Sequence, residues 1–358
     1  MTGDPVLDRI EGAVAEALPR LAAYGLRGAA DERFEITPEM RGMFLDFASE
    51  QRLFGLLDQA VSEGAVEVDT DGAEAIGQRA VELAAWSLQL ERHLLHVHGL
   101  LDGHQIPHRF IKGSSIAHRF YEHPALRTFV DVDVLVADRN LEPTVDLLIE
   151  DGHWRTQPDP YPGFSRRYAK SVEMSGTNGV EVDVHRVLVD GPFGLRGRTT
   201  ALWDRPAGGF EVGGRTLPAL DPVAAFVHAC TNSIASYDGV SLAAVRDVAE
   251  IAGSVVLDVN DAVGLAEDLG VTACVCSALN RAATELSWSA PPELVDAFSR
   301  PLTPLERKLL ASYHEPTSDL QRALLGVRAS SGVASKCRYL ANVVALWAGR
   351  PKRRASRQ

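Results

Sequence analysis

The stretch from Val130 to Val136 reads Val-Asp-Val-Asp-Val-Leu-Val, and this alternation is typical of a β-strand with one buried face. In a strand, residues two apart point to the same side, so Asp131 and Asp133 project together while the valines face the other way. Two adjacent carboxylates repel each other unless a cation lies between them. Mg²⁺ is the natural partner, because it is a hard ion that binds carboxylate oxygens. The stretch therefore predicts a sheet with one apolar face and one face that holds a divalent cation.

A second strand with the same pattern is predicted from Gly179 to His185. Its carboxylate, Asp183, shares a strand face with Glu181 and His185. If the two strands are neighbours, Asp183 joins the first two aspartates, and such a set is what two-metal phosphoryl transfer requires. Glu181 is then either a fourth acid or a solvated strand end. His185 either assists the site or makes a structural hydrogen bond.

A Gly-Ser turn connects another predicted strand, Ile106 to Ile111, to a short helix from Ile116 to Tyr121. Such a turn directs free backbone N–H groups at an anion, and the helix dipole strengthens the attraction. The turn therefore predicts a phosphate site. The residues predicted to contact phosphate are Gly113, Ser114 and Ser115.

Two basic residues near the turn are candidates for the same phosphates. Lys112 stands at the strand end, where it either reaches a phosphate or is a surface lysine. Arg127 precedes Asp131 by four residues. It either clamps a phosphate bidentately or pairs with a carboxylate that holds the sheet together.

The rest of the chain is predicted to be mainly helical on both sides of this sheet. Apolar spacing predicts helices over 6–18, 38–57, 73–101, 140–151, 222–234, 242–252, 259–269, 271–286, 304–313 and 339–347. A further strand is predicted over 165–172, and a hairpin over 210–217. The predicted fold class is α+β, with a small mixed β-sheet core flanked by N- and C-terminal helical regions.

These patterns divide the chain into four predicted segments. They are an N-terminal helical region at 1–101, the sheet core at 102–219, a C-terminal helical region at 220–348 and a basic tail at 349–358. A run of like charges at a terminus is usually disordered, and we expect this of the tail.

The formal net charge of −12 at pH 7 limits the choice of partner. Affinity for nucleic acids depends on neutralising phosphates, so this balance disfavours DNA and RNA as substrates. No apolar run approaches the ~18 residues of a membrane span, and acidic residues near the N-terminus argue against a secretory signal. We therefore expect a cytoplasmic protein with no membrane partner.

Other residues that commonly bind metals do not form a recognisable pattern. The spacing of Cys230, Cys274, Cys276 and Cys337 fits no zinc site, which favours buried free thiols. His93 and His96 are one helical turn apart, but no cysteine or acid accompanies them at ligand spacing. We therefore predict no metal site at these histidines.

The ordered set of strand, Gly-Ser turn, arginine, Asp-x-Asp strand and third aspartate resembles the nucleotidyltransferase superfamily that includes DNA polymerase beta and the aminoglycoside nucleotidyltransferases. More closely, it resembles a bacterial family of uncharacterised nucleotidyltransferases. The resemblance covers residues 51–252. The matching positions are Ile106, Pro107, Phe110 to Ser115, Tyr121, Pro124, Arg127, Asp131 to Val136, Val182 to His185, and helical segments around His228 and Asp247.

The resemblance implies an enzyme that transfers a nucleoside monophosphate from an NTP with release of pyrophosphate. It implies two Mg²⁺ ions, with Mn²⁺ as an alternative. By position, Asp131 and Asp133 hold the metals, while Asp183 holds the catalytic metal and acts as general base. The Gly113 turn cradles the triphosphate, with Lys112 and Arg127 as further contacts. His228 and Asp247 either reach the site or form a structural pair.

The acceptor is left open by the sequence. We predict a hydroxyl or phosphate on a small-molecule or natural-product acceptor. The alternatives are a toxin-like enzyme that modifies a protein or tRNA, and a non-catalytic NTP-binding protein. No motif distinguishes ATP from CTP, GTP or UTP, and no motif defines the oligomeric state.

Overall fold

The computed structural model describes residues 5–30, 32–159, 161, 163–197, 199–235, 241–315, 318–330 and 332–349. Helices dominate both ends of this part of the chain and a mixed sheet occupies the middle, so the predicted α+β class is confirmed. The predicted basic tail lies outside the described residues from position 350 onward. None of the described helices combines the length and apolarity that a membrane span needs.

The N-terminal region consists of four helices and a two-stranded parallel sheet. Its elements are α1 (Pro5–Ala23), β1 (Phe34–Ile36), α2 (Pro38–Glu50), α3 (Phe54–Ser62), β2 (Val66–Val68) and α4 (Thr70–Gly103). The 34-residue α4 begins where the Asp69 side chain accepts a hydrogen bond from the Gly72 N–H, an arrangement that satisfies one of the free donors of the first turn. α4 then packs against the main sheet. Its Leu90, Leu94 and Val97 belong to the hydrophobic core on that face of the sheet.

The middle of the chain forms a seven-stranded sheet in the order β5-β6-β7-β4-β3-β9-β8. Its elements are β3 (His108–Phe110), α5 (Gly113–Phe120), β4 (Asp131–Val136), α6 (Leu141–Glu150), β5 (Trp154–Arg155), α7 (Phe164–Tyr168), β6 (Ser171–Ser175), β7 (Glu181–His185), α8 (Gly191–Gly194), β8 (Gly208–Val212) and β9 (Arg215–Ala219). Short 3₁₀ turns lie at Pro124–Leu126, Asp138–Asn140 and Thr199–Leu202. Strand pairs β4–β7 and β3–β9 are parallel and the others antiparallel. The predicted hairpin is confirmed as β8–β9, where Gly213 and Gly214 both have positive φ, as its tight turn requires.

The described elements of the C-terminal region are all helices. Its elements are α9 (Pro222–Asn232), α10 (Leu242–Ser254), α11 (Val259–Asp268), α12 (Thr272–Glu285), α13 (Pro292–Phe298), α14 (Pro304–His314), α15 (Asp319–Ala329) and α16 (Val333–Gly349). α9 begins at Asp221, whose side chain accepts from the N–H groups of Val223 and Ala224. The fully buried Phe226 and Cys230 of α9 join a core shared with α10 and α12. This core holds α9 and α10 against the sheet region.

Two hydrophobic cores lie on opposite faces of the sheet. One core contains Val132, Val134 and Val182 together with apolar residues of α4 and α6. The other contains Leu135 and Ile111 together with the N- and C-terminal helices. The valines of the predicted strand therefore face an apolar layer, as their alternation requires.

Three local predictions were wrong. The helix predicted over 38–57 is two helices, because Arg52 adopts a left-handed φ of 59° and the Leu53 N–H bonds to Ala48 O, which ends α2. The strand predicted over 165–172 is the short helix α7 followed by β6. Because Ser171 pairs with His185 in the hairpin with β7, strand pairing begins only there. The first helix, predicted over 6–18, continues to Ala23, so Pro19 lies inside α1.

Candidate active site

Parallel pairing of β4 with β7 places the predicted acids side by side. Asp133 lies opposite Asp183, and Asp131 lies opposite Glu181. Residues opposite each other in a sheet share a face, so the acids project together from the side away from the valine core. Glu181 is exposed, as expected of a solvated strand end. The convergence of three carboxylates is therefore a consequence of strand register.

Asp133, Asp183 and His185 form a group in which one possible ligand atom from each lies within 4.8 Å of the others. The His185 Nε2 atom is 2.7 Å from Asp133 Oδ1 and 2.8 Å from Asp183 Oδ2. His185 is fully buried, and it lies at the C-terminal end of β7, two residues beyond Asp183. An imidazole N–H at this position bridges the two carboxylates and fixes their separation.

Lys112 also contacts this group. Its Nζ atom is 2.6 Å from Asp133 Oδ1 and 3.3 Å from His185 Nε2. Burial opposes the charged form, but the carboxylates of Asp133, Asp183 and Asp131 outweigh it and raise the pKa of the Lys112 ammonium. Lys112 has a φ of 51°, an unusual backbone conformation at the entry to α5. The amine that the sequence assigned to a phosphate thus contacts an acid of the cluster.

The three aspartates differ in their affinity for protons. Burial raises the pKa of Asp131 to about 6, and the charge of Asp133 adds to the rise. For Asp133, burial is outweighed by Lys112 and His185, which hold its pKa well below its usual range. For Asp183, burial is outweighed chiefly by His185, so its pKa is also lowered. Asp133 and Asp183, which share His185, are therefore ionised. The repulsion between the acids instead raises the pKa of Asp131.

Two carboxylate oxygens of the cluster are buried and unpartnered among the described residues. They are Asp131 Oδ1 and Asp183 Oδ1. A buried carboxylate oxygen without a hydrogen bond is costly unless a cation satisfies it. Oxygen donors of this kind suit Mg²⁺ or Mn²⁺. The residues present therefore fit a divalent cation.

The Gly-Ser turn lies at the start of α5. The first intrahelical bond runs from Ile116 N to Lys112 O, so the N–H groups of the three preceding residues have no partner within the helix. A Cβ on Gly113 would lie 2.9 Å from Phe129 Cβ, so the close approach of the two segments requires glycine. Ser115 Oγ donates to Lys112 O at 3.0 Å and closes the turn. Ser114 is 4% exposed.

Arg127 contacts a carboxylate, which is the structural alternative that the sequence left open. Its Nε and Nη2 atoms donate to the two oxygens of Asp247 at 2.9 and 3.0 Å. The Tyr121 hydroxyl donates to Asp247 Oδ1 at 2.8 Å. All three side chains are buried, and the pair ties the segment before β4 to α10.

His228 lies apart from this pair. It is 1% exposed, and its Nε2 atom has no partner among the described residues. Burial, followed by the nearby positive charge of Lys112, holds its pKa well below the ordinary value. His228 is thus a neutral imidazole on the side of Lys112 and His185, and it does not pair with Asp247 as the sequence allowed.

Two basic residues that the sequence did not assign to the site lie close to the acids. Lys170 immediately precedes β6, and its backbone O accepts from Arg186 N at 3.0 Å, next to His185. Arg52 lies at the break between α2 and α3, and its backbone O accepts from Thr128 Oγ1 at 3.0 Å. Neither residue belongs to a motif. Only the interruption of the apolar spacing at Arg52 hinted at a special position.

Comparisons with known proteins are consistent with this geometry. The model of a family described as "Uncharacterised nucleotidyltransferase" matches residues 40–286, which is more than half of the chain. A solved structure with some similarity is an antigenic nucleotidyltransferase-like protein from Paracoccidioides brasiliensis, with 13% sequence identity and a TM-score of 0.34. That match covers 59% of this chain and 92% of the other. No curated protein matches the sequence.

Proposed function

The chain belongs to the uncharacterised nucleotidyltransferase family, and we propose that it transfers a nucleoside monophosphate from an NTP to a hydroxyl or phosphate of a small-molecule acceptor. Family membership makes the chain a nucleotidyltransferase. The donor, the metal and the acceptor are the proposed part. The observation that carries them is the pairing of Asp133 with Asp183, because two buried carboxylate oxygens beside it have no partner among the residues that the structure describes.

In this proposal Asp131, Asp133 and Asp183 hold two Mg²⁺ ions, with Mn²⁺ as the alternative. The ions supply a polarised attacking oxygen and neutralise charge on the leaving phosphate. His185 keeps Asp133 and Asp183 at a fixed separation through its Nε2 atom. Lys112 balances the charge of Asp133 and stabilises the acids at close range. The chain thus provides a pre-organised anionic surface.

The reaction forms a bond between the acceptor oxygen and the α-phosphorus of the NTP. The bond from that phosphorus to the bridging oxygen breaks, and pyrophosphate leaves with the electron pair. When the acceptor is a hydroxyl, Asp183 takes its proton. When the acceptor is an ionised phosphate, no proton has to be removed.

The triphosphate lies at the N-terminus of α5 in this proposal. The N–H groups of Gly113, Ser114 and Ser115 have no backbone partner among the described residues, and N–H groups at a helix start suit phosphate oxygens. We also propose that residues 102–219 are the catalytic core. The helical regions 1–101 and 220–348 then form the acceptor cleft and part of the base pocket.

The test measures pyrophosphate release from ATP, CTP, GTP and UTP in separate reactions, with a metabolite extract as the source of acceptors and with Mg²⁺, Mn²⁺ or a chelator. Mass spectrometry then searches for products heavier by one nucleoside monophosphate. We expect release with at least one NTP only when a divalent ion is present. Adducts in the protein or tRNA fraction would instead support the macromolecular acceptor.

Three variants complete this experiment. Asp131→Asn and Asp133→Asn should abolish release while the far-UV spectrum stays unchanged. Glu211→Gln is the matched control, because Glu211 is an exposed strand acid on β8. Full turnover in both aspartate variants would refute the mechanism, and an NTP that binds without ever releasing pyrophosphate would favour the non-catalytic alternative.

A further inference from the structure

The two basic side chains that the sequence assigned to phosphate both have carboxylate partners. Lys112 contacts Asp133 at 2.6 Å, and Arg127 makes a bidentate pair with Asp247. Moving Arg127 to a phosphate would leave Asp247 buried and uncompensated, which is costly. Moving Lys112 would remove the cation nearest to two adjacent acids. Any side-chain cation that binds the triphosphate besides the proposed Mg²⁺ ions must therefore come from elsewhere in the chain.

Lys170 is a cation of this kind. Within the described ranges, its side chain makes no hydrogen bond or ion pair. The position is set by the β6–β7 hairpin, since Ser171 pairs with His185 and Lys170 is one residue further on. Burial lowers the pKa of the Lys170 ammonium, the charge of Lys112 lowers it further, and Asp183 and Asp133 oppose the change.

Arg52 lies at the other end of the acid row. Its side chain is also unpaired within the described part of the chain. Its backbone has a left-handed φ of 59° and is held by Thr128, three residues before Asp131. This hydrogen bond places the Arg52 backbone beside the segment that leads into Asp131. A strained backbone at a non-glycine residue persists where its surroundings enforce it, often at a ligand site.

The geometry points to Lys170 and Arg52 as the side chains that bind the triphosphate, one on each side of the acid row. This inference rests on the proposed function and names the residues that the donor needs. Arg52 suits bidentate contact with a phosphate, while Lys170 acts as a point charge. Lys112 and Arg127 then have structural roles. Lys112 holds Asp133, and Arg127 holds the segment that leads into β4.

Binding of nucleotides without an acceptor tests this assignment by isothermal titration. The probes are ATP, CTP, GTP and UTP with Mg²⁺, and the monophosphate of whichever NTP binds most tightly. The variants are Lys170→Met and Arg52→Met, with Lys170→Arg as the conservative rescue. Lys308→Met is the matched control, because Lys308 is an exposed lysine on α14. Urea unfolding of each variant shows whether the fold is intact.

We expect each methionine variant to weaken NTP binding by about tenfold or more, the size of one charge-assisted phosphate contact. Binding of the monophosphate should change less than about threefold, because the lost contacts are to the outer phosphates. Lys170→Arg should restore most of the NTP affinity, and Lys308→Met should leave it unchanged. A merely structural role would weaken both nucleotides equally.

The outcomes separate the two proposals. If the wild-type chain binds an NTP and both methionine variants bind it equally well, this assignment is overturned and the proposed function stands. Equal losses for NTP and monophosphate would also overturn it. If the wild-type chain binds none of the four NTPs, the proposed function fails and this assignment fails with it.

Discussion

Two clusters of metal-binding residue types lie on opposite sides of the same sheet, and they differ in how their polar atoms are satisfied. The acid cluster consists of Asp131, Asp133, Asp183, His185 and Lys112. The histidine pocket is a cavity of about 570 Å³ lined by residues that include His93, His153, Asp151 and Asn178. Within the described part of the chain, two buried oxygens of the acid cluster have no hydrogen-bond partner. In the histidine pocket, a chain of hydrogen bonds satisfies both ring nitrogens of His93 and both of His153.

That chain can be followed donor by donor. Val180 N donates to Asn178 Oδ1, which orients the amide so that its Nδ2 donates to His93 Nδ1 at 3.3 Å. His93 Nε2 then carries the proton and donates to His153 Nε2 at 3.0 Å. His153 Nδ1 donates in turn to Leu148 O at 3.2 Å. Two neutral imidazoles are thereby satisfied without an ion.

The difference teaches how to tell a structural polar cluster from a reactive one. The residue types alone do not separate them, because histidine and aspartate occur in both. Satisfied neutral groups stabilise a fold, whereas unpartnered anions held beside cations are arranged for a ligand. That His93 and His96 form no metal site stays a prediction. Four measurements can break or sharpen the contrast.

The largest expected effect is on turnover. Asp183→Asn should reduce pyrophosphate release by at least about 10³-fold, since it removes both a metal ligand and the proton acceptor. His93→Gln should change release by less than about threefold. Steady-state assays with the preferred NTP give both numbers. A comparable loss in a folded His93→Gln variant would break the contrast.

The next largest effect is on stability. It sharpens the contrast because it tests whether Arg127 has a structural role. Asp247→Ala should lower the free energy of unfolding by about 3–5 kcal/mol, because it leaves the buried Arg127 guanidinium uncompensated. Urea denaturation measures the change. The double variant Arg127→Met with Asp247→Leu should recover much of it. A loss below about 1 kcal/mol in the single variant would show that water reaches the pair.

A smaller effect concerns pH and the histidine pocket. Burial, followed by the proximity of His153 and His96, lowers the pKa of His93 to about 4, from an ordinary 6.5. Between these values the unfolded chain binds a proton that the folded chain does not, so stability is full above pH 6.5 and falls as the pH drops toward 4. The contribution of His93 is at most about 3 kcal/mol.

Urea unfolding at pH 7.5 and pH 4.5 tests this with His93→Gln as the comparison. The variant should lose less stability than the wild-type chain over the same interval. Because the carboxylates titrate equally in both proteins, the difference isolates the histidine. Parallel losses would show that His93 is not the acid-sensitive group.

The smallest effect is thermal stabilisation by a bound ion. At about ten times its Kd, Mg²⁺ should stabilise the wild-type chain by about 1.4 kcal/mol, a shift of a few degrees in Tm. His93→Gln should show the same shift, and Asp133→Asn should show none. Differential scanning fluorimetry measures all three. A Mg²⁺ shift that depends on His93 would reverse the assignment of the two clusters.

Much of the sheet and its acids could be predicted because the information is local. Alternation along β4 and β7 specifies which side chains share a face, and the faces then allow only registers that bury the valines. The Gly-Ser turn could be placed for the same reason, since a strand end and a helix start both carry residue signals. Hydrophobic periodicity likewise identified most of the long helices.

The partners of the charged groups could not be predicted, because they come from distant parts of the chain. Asp247 lies 120 residues beyond Arg127 and reaches it only through the packing of α10. Lys170 is next to His185 only because of the β6–β7 register. His153 and Asn178 reach His93 from two separate turns. The end of α2 could not be predicted, because it lies at Arg52. This non-glycine residue adopts the left-handed conformation that a glycine usually signals.

The shared register of β4 and β7 also bears on how the protein folds. Acids and valines alternate on both strands, so the pairing that aligns Asp133 with Asp183 is the same one that buries Val132 and Val182. A slip by one residue would push carboxylates into the apolar layer and expose valines to water. Misregistered chains are therefore too unstable to accumulate, and they remain recognisable to chaperones and proteases as unfolded. A cell that makes this protein would contain few copies that are folded yet misassembled at the acids.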